Sequence, residues 1–172
     1  LTNSSGAHDK WARWSPDGQR IVFVRRPGTG GAPPPILEPQ HQPWALWVGG
    51  ASTGQAREIW KAPATLRGSP PTTDGGVNLH WSSRDRIVFL SYADGWPHLY
   101  SLPPAGGEAL LLTPGGSMAE HIRLTPDGAH VLFAANAGDR AGDIDRRHVV
   151  RVPVDRAAPE VLTAGAGLEW SP

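Results

Sequence analysis

Cysteine is absent from this sequence. That absence removes disulfides, thiolate zinc sites and cysteine nucleophiles together. It fits cytoplasm or periplasm equally, because a disulfide-free chain persists in either redox environment. Net charge is absent too: 16 Lys and Arg face 16 Asp and Glu. A nucleic-acid binder carries a basic excess or a basic face, so no nucleic-acid partner is expected. No like-charge run reaches five residues, so no charged tail is seen. No apolar stretch approaches the ~20 residues of a membrane helix, and no membrane partner is expected. The first residue is Leu rather than Met, and no signal peptide is expected in this stretch.

What is present is punctuation and aromatic surface. The 21 Gly and 18 Pro are spread too densely for long helices. Eight Trp and many short Val, Leu and Ile runs supply apolar surface for a core, so the breakers do not imply disorder. At 172 residues the chain is long enough for one domain.

The sequence repeats. "WSPDGQRIVFV" from Trp14, "WSSRDRIVFLS" from Trp81, "LTPDGAHVLFA" from Leu124 and a final "WSP" from Trp170 align on one pattern. Trp14 and Trp81 are 67 residues apart, Trp81 and Leu124 are 43 apart, and Leu124 and Trp170 are 46 apart. The last two spacings match the ~40–50 residues of a four-stranded propeller blade. A Pro- and Gly-rich insertion at 25–43 is read as the source of the extra length in the first unit. In "SPDG" and "TPDG" the Pro presets φ, Asp tolerates the next position, and Gly supplies φ > 0. Around each turn the same order recurs: a short strand, the turn, an apolar strand, then a third and a fourth strand. A sandwich need not repeat its turn chemistry at a fixed point, and a propeller does.

The expected fold is therefore all-β: a partial β-propeller of three four-stranded antiparallel blades plus the first strand of a fourth. All 172 residues are expected to form this one unit. Blade 1 is placed at about 8–62, blade 2 at about 76–113, blade 3 at about 118–163 and the start of blade 4 at 167–172. The chain is accordingly expected to be part of a larger propeller. An open arc leaves blade faces uncovered, so self-association in isolation is also expected.

Few residues carry chemistry. The seven His (8, 41, 80, 98, 121, 130 and 148) form no metal-binding motif, and neither metal nor cofactor is expected. "GDRAGDIDRRH" (138–148) interleaves Arg with Asp, which suits an exposed, self-paired hairpin loop better than a calcium loop. A docking loop is its sharper reading. Trp96, beside the Asp94-Gly95 turn, is either an exposed contact residue or a cover for its own blade. The residue before each repeat's aromatic is polar: Arg13, His80, Arg123 and Glu169. Alternation along a strand puts these four in one phase. They form either a polar ring near a propeller channel, with Arg123 placed to pair with Glu169, or a set of solvated strand ends.

At "WSPDGQRIVFV", "LTPDGAHVLFA", "HLYSLPPAGGEALLLT" (98–113) and "HVVRVPVDRAAPEVLT" (148–163) the chain resembles the propeller repeats of TolB and of the prolyl oligopeptidase family of serine peptidases. The long insertion and the stretch 72–103 are similar to the N-terminal propeller of dipeptidyl peptidase IV-like and acylaminoacyl peptidase-like members. The resemblance implies a non-catalytic propeller that gates access of small peptide substrates to a C-terminal α/β-hydrolase domain. That domain would be the partner, with a G-x-S-x-G elbow and Asp and His after it. The nearest match here, "GGSMA" at 115–119, lacks the final Gly, so no catalytic residue is assigned. Nor does a Glu-Glu pair occur, of the kind that holds a substrate amino terminus in dipeptidyl peptidase IV. The alternatives are a TolB-like protein-binding propeller with no enzyme attached, and an excised or designed propeller segment that completes itself by oligomerising.

Overall fold

The computed structural model describes residues 6–28, 35, 37–137, 142–163 and 165–172. Twelve strands form three four-stranded sheets. Blade 1 contains β1 (Ala7–Trp14), β2 (Arg20–Pro27), β3 (Ala45–Gly50) and β4 (Ala56–Lys61). Blade 2 contains β5 (His80–Ser82), β6 (Arg86–Ser91), β7 (His98–Leu102) and β8 (Leu110–Leu111). Blade 3 contains β9 (Ala119–Leu124), β10 (His130–Ala135), β11 (His148–Pro153) and β12 (Glu160–Val161). Every neighbouring pair is antiparallel and strand order follows chain order, so each sheet is a simple meander. The all-β, three-blade reading is confirmed. Among the described residues helix is limited to two 3-10 turns, Leu66–Gly68 and Asp143–Asp145.

The repeated turns explain where the second strands begin. Asp17 accepts the backbone N–H of Gln19, and Asp127 accepts that of Ala129, each at 3.0 Å. Gly18 and Gly128 close the two turns at φ 69° and 64°. In blade 2 the turn is one residue shorter and holds no Gly, and Asp85 takes the left-handed conformation at φ 53°. Asp tolerates that region better than most residues.

The core lies between blades. One cluster joins Val22, Val24, Leu46 and Val48 of blade 1 to Ile87, Phe89, Tyr100 and Leu102 of blade 2. Trp44, Trp60, Phe89 and Tyr100 run through it as a chain of aromatic contacts. A second cluster joins Val88, Leu90 and Leu99 of blade 2 to Val131, Phe133, Val150 and Val152 of blade 3. Blade 2 therefore sends alternate residues of β6 and β7 to opposite neighbours. Both of its faces are dry, and both strands read as nearly continuous apolar runs. Blade 1 and blade 3 each have one such covered face.

Polar rivets reinforce the packing. The Arg20 guanidinium lies 4.9 Å from the centre of the Trp81 ring and pairs with Asp85 at 3.4 Å. Arg57 donates to the carbonyls of Pro104 and Ala105. Ser101 Oγ donates to Val154 O at 2.6 Å, and Ser82 Oγ donates to Gly128 O.

The extra length of the first repeat is divided between two excursions, not one. The connection from β2 to β3 is the expected insertion, although β2 continues to Pro27, into the span assigned to it. A second excursion, 62–79, leads into blade 2. The two meet where buried Trp44 donates its indole N–H to Gly68 O at 2.8 Å. Residues 167–172 form no ladder among the described residues, and the strand expected there is not formed. A strand is defined by its partner, and the second strand of that unit is not in this sequence.

Candidate functional site

The innermost strands carry a shared irregularity. In β1, Lys10 opposes Val24 and Arg13 opposes Val22, so three steps on one strand face two on the other. In β9, Glu120 opposes Ala134 and Arg123 opposes Leu132 in the same way. In blade 2 the bond from Leu90 N to Val77 O precedes the pairing of His80 with Val88, which repeats the pattern. β1 and β9 thus each contain a β-bulge, the chain leading into β5 repeats its spacing, and each of the three places a non-glycine residue at positive φ: Trp11 at 55°, Asn78 at 45° and His121 at 52°. Bulges bend a strand and re-aim the side chains that follow. Two residues after Trp11, Asn78 and His121 stand Arg13, His80 and Arg123.

The two arginines lie close enough to His80 for their charge to act on its ring. Burial, then Arg13, then Arg123, hold the His80 imidazole down to about 4, so it is neutral at physiological pH. Its Nε2 atom is buried without a hydrogen-bond partner. The Arg13 and Arg123 side chains are exposed. Their bonds go to neighbouring backbone, at Ala12 O and Ile122 O, and neither pairs with a carboxylate among the described residues.

Glu169 does not join them. Its N–H donates to Arg147 O at 2.9 Å. The same bond runs from Ala119 N to Pro97 O and from Ala62 N to Trp44 O. Glu169 therefore occupies the place of Ala119, not that of Arg123, and the expected pairing with Arg123 is not made. Its carboxylate instead meets His148 Nδ1 at 3.3 Å and accepts from Thr163 Oγ1 at 3.0 Å. Without a ladder partner to set its register, this segment is placed by local side-chain bonds.

That contact exposes a feature the sequence reading missed. His98 and His148 each open the third strand of a blade, and both are buried. His98 Nδ1 meets Asp94 Oδ2 at 2.6 Å, and its Nε2 meets Ser117 O at 2.8 Å. His148 meets Asp143 at 3.7 Å and Glu169 at 3.3 Å. In both blades a threonine hydroxyl, Thr113 or Thr163, accepts the next backbone N–H. The pair forms a latch between the third strand and the chain leaving for the next unit. Its signal was present as Asp-x3-His and Asp-x4-His before equivalent strands.

The remaining candidates fall as follows. The stretch 114–118 connects β8 to β9 with no elbow or helix, and its Ser117 carbonyl serves the latch. In the 138–148 loop, residues 138–141 lie outside the described residues. Gly142, Ile144 and Asp145 are exposed and Arg146 pairs with Asp143 inside the loop, as expected, although Asp143 itself is buried. Arg147 reaches outside it to Glu120. Trp96 is 38% exposed. Among the described residues no group of three His, Asp or Glu is placed to hold a metal ion. A groove of about 220 Å³ lies against β1, β2 and β3 of blade 1, and none of Arg13, His80 and Arg123 lines it.

No protein-family model matches the sequence, and no curated protein matches it. Solved structures do match. Oligogalacturonate lyase of Vibrio parahaemolyticus superposes with a TM-score of 0.70 at 9% identity, over 96% of this chain and 44% of that one. TolB of Acinetobacter baumannii superposes at 0.55 with 17% identity, over 98% and 35%. A dipeptidyl aminopeptidase IV-like protein of Bacteroides ovatus superposes at 0.60 with 16% identity, over 92% and 23%.

The chain is a stretch of β-propeller.

At these identities the similarity is one of fold. The propeller segment spans less than half the length of each of these neighbours. The blade faces left open in the segment are those that further blades cover in a complete propeller.

Proposed function

We propose that this segment is a non-catalytic part of the propeller of a prolyl oligopeptidase-family serine peptidase. In this reading it restricts access to a hydrolase domain that lies outside the sequence, so that small peptides pass and folded chains do not. The repeated inner strand carries the reading: three blades present polar side chains at one rung, as the wall of a passage would. The similarity of "HLYSLPPAGGEALLLT" to peptidase propeller repeats and the fold shared with the dipeptidyl aminopeptidase IV-like protein support it.

The gene decides between this and its rival. A G-x-S-x-G elbow followed by Asp and His is expected beyond residue 172. A stop codon there, with a small α/β domain upstream, overturns the peptidase reading in favour of a TolB-like binding propeller. The fold shared with the A. baumannii TolB supports that second reading. A serine-directed fluorophosphonate probe is expected to leave the 172-residue chain unlabelled. Labelling of this chain would contradict the non-catalytic assignment.

A further inference from the structure

We propose that Arg13, His80 and Arg123, which stand at equivalent rungs of the first strands of three successive blades, form a binding site for an oxyanionic group, carboxylate or phosphate, of a small ligand. The site rests on these side chains and is independent of which enzyme, if any, the propeller serves.

Register is the first argument. Arg13, His80 and Arg123 stand opposite Val22, Val88 and Leu132, equivalent rungs of three second strands. The same irregularity precedes each, at a positive φ that non-glycine residues avoid. Such strain costs about 1–3 kcal/mol per position, and it gathers where side chains must be aimed. Three solvated strand ends would have no need of it.

The second argument is charge. Six other arginines (20, 25, 146, 147, 151 and 156) pair with carboxylates. Arg13 and Arg123, whose charges both act on the His80 ring, have no such partner among the described residues, nor do Arg26, Arg57, Arg67, Arg84 and Arg86. Two cations near one ring repel each other, and an anion between them would reverse the sign of that term. Guanidinium forks match the paired oxygens of carboxylate and phosphate.

The third argument is an unsatisfied atom. His80 Nε2 is buried and unpartnered, and such an atom needs explaining because isolation is costly. As a neutral ring it can offer one N–H to an oxygen already held by the two arginines. No side chain in the described structure supplies that oxygen.

The test is titration of the 172-residue chain with succinate, inorganic phosphate, trialanine and trialanine amide, followed by calorimetry and by the NMR signal of the His80 ring. His80→Gln identifies that signal. Saturable binding of succinate or phosphate is expected, with the His80 resonance moving. In Arg13→Gln/Arg123→Gln, affinity is expected to fall at least tenfold. Arg13→Lys/Arg123→Lys, which keeps charge but loses the forks, is expected to fall between. Arg156→Gln, at an exposed ion pair elsewhere, is expected to bind as the wild type does. Either single Gln variant serves if the double variant does not fold. Binding of trialanine but not its amide identifies a peptide carboxylate as a source. Failure of both peptides while succinate binds keeps the site and counts against the peptide-gating reading. No binding of either small anion, or equal binding by the double Gln variant, overturns the site.

Discussion

Two glycines in the same repeated turn show how one residue type meets two environments. Gly18 and Gly128 both sit at positive φ. A methyl group on Gly18 would meet nothing within 4 Å, whereas on Gly128 it would lie 2.7 Å from the Ser83 backbone nitrogen. Gly18→Ala is therefore expected to cost only the left-handed strain, about 1–2 kcal/mol. Gly128→Ala adds a clash across the interface of blades 2 and 3, for a total of roughly 3–5 kcal/mol. Urea denaturation of the two variants checks this, and equal losses would refute it. His80 sets a pH dependence at the same scale. Its ring titrates near 6.5 when unfolded and at about 4 when folded. Between those values the unfolded chain binds more protons, so stability is full above pH 6.5 and falls as pH drops toward 4. The gap is worth roughly 3 kcal/mol. The hydroxyls of Ser15 and Thr125, with backbone N–H groups, hold Asp17 and Asp127 below 3.8, so their contribution is lost only at lower pH. Stability measured at pH 7 and pH 5 should fall in the wild type and fall less in His80→Gln. Matching slopes would remove His80 as the cause.

The inner strand is the element that the sequence only half disclosed. Its irregularity centres on Trp11, Asn78 and His121, three unlike residues, none of them Gly. Gly-marked turns announce the second strand, whereas no residue type shared by the three blades announces the strain in the first. Asn78 suits the position best, because Asn is enriched at positive φ and its amide also donates to Asp74 O and Gly76 O. Asn78→Val is expected to cost about 2–4 kcal/mol, from β-branching at positive φ and lost side-chain bonds. A loss under 0.5 kcal/mol by thermal denaturation would show that the position is not strained. What could be read in the sequence was periodicity: turns, apolar second strands and blade count all follow from local chemistry repeated at fixed spacing. Arg13, His80 and Arg123 were legible for the same reason, since alternation fixes phase. Glu169 was misplaced because phase along a strand says nothing where no ladder holds it. The buried latch at His98 and His148 escaped because its acids lie in connections of unequal length, at Asp94 and Asp143, which no fixed spacing links.

At the scale of the molecule, blade 2 is covered on both faces and its neighbours on one. Trp14 is 58% exposed and Trp170 is 49% exposed, with Val161 and Leu162 also open. The solvent-accessible surface is 9273 Å² for 18.4 kDa. A compact monomer of this mass exposes roughly 8,200 Å². The excess is about 1,000 Å², and the exposed apolar side chains of the outer faces contribute to it. Blades bury their faces only against other blades. We propose that the 172-residue chain self-associates in isolation through these outer faces, with arcs meeting end to end. Light scattering coupled to size exclusion should show mass rising with concentration above that of the monomer. Trp14→Glu places a charge on an apolar outer face and is expected to weaken assembly at least tenfold, while the covered interfaces of blade 2 and the thermal transition at low concentration stay unchanged. A mass of 18.4 kDa at every concentration up to the millimolar range would refute the proposal, and would mean that solvent tolerates these faces as they stand.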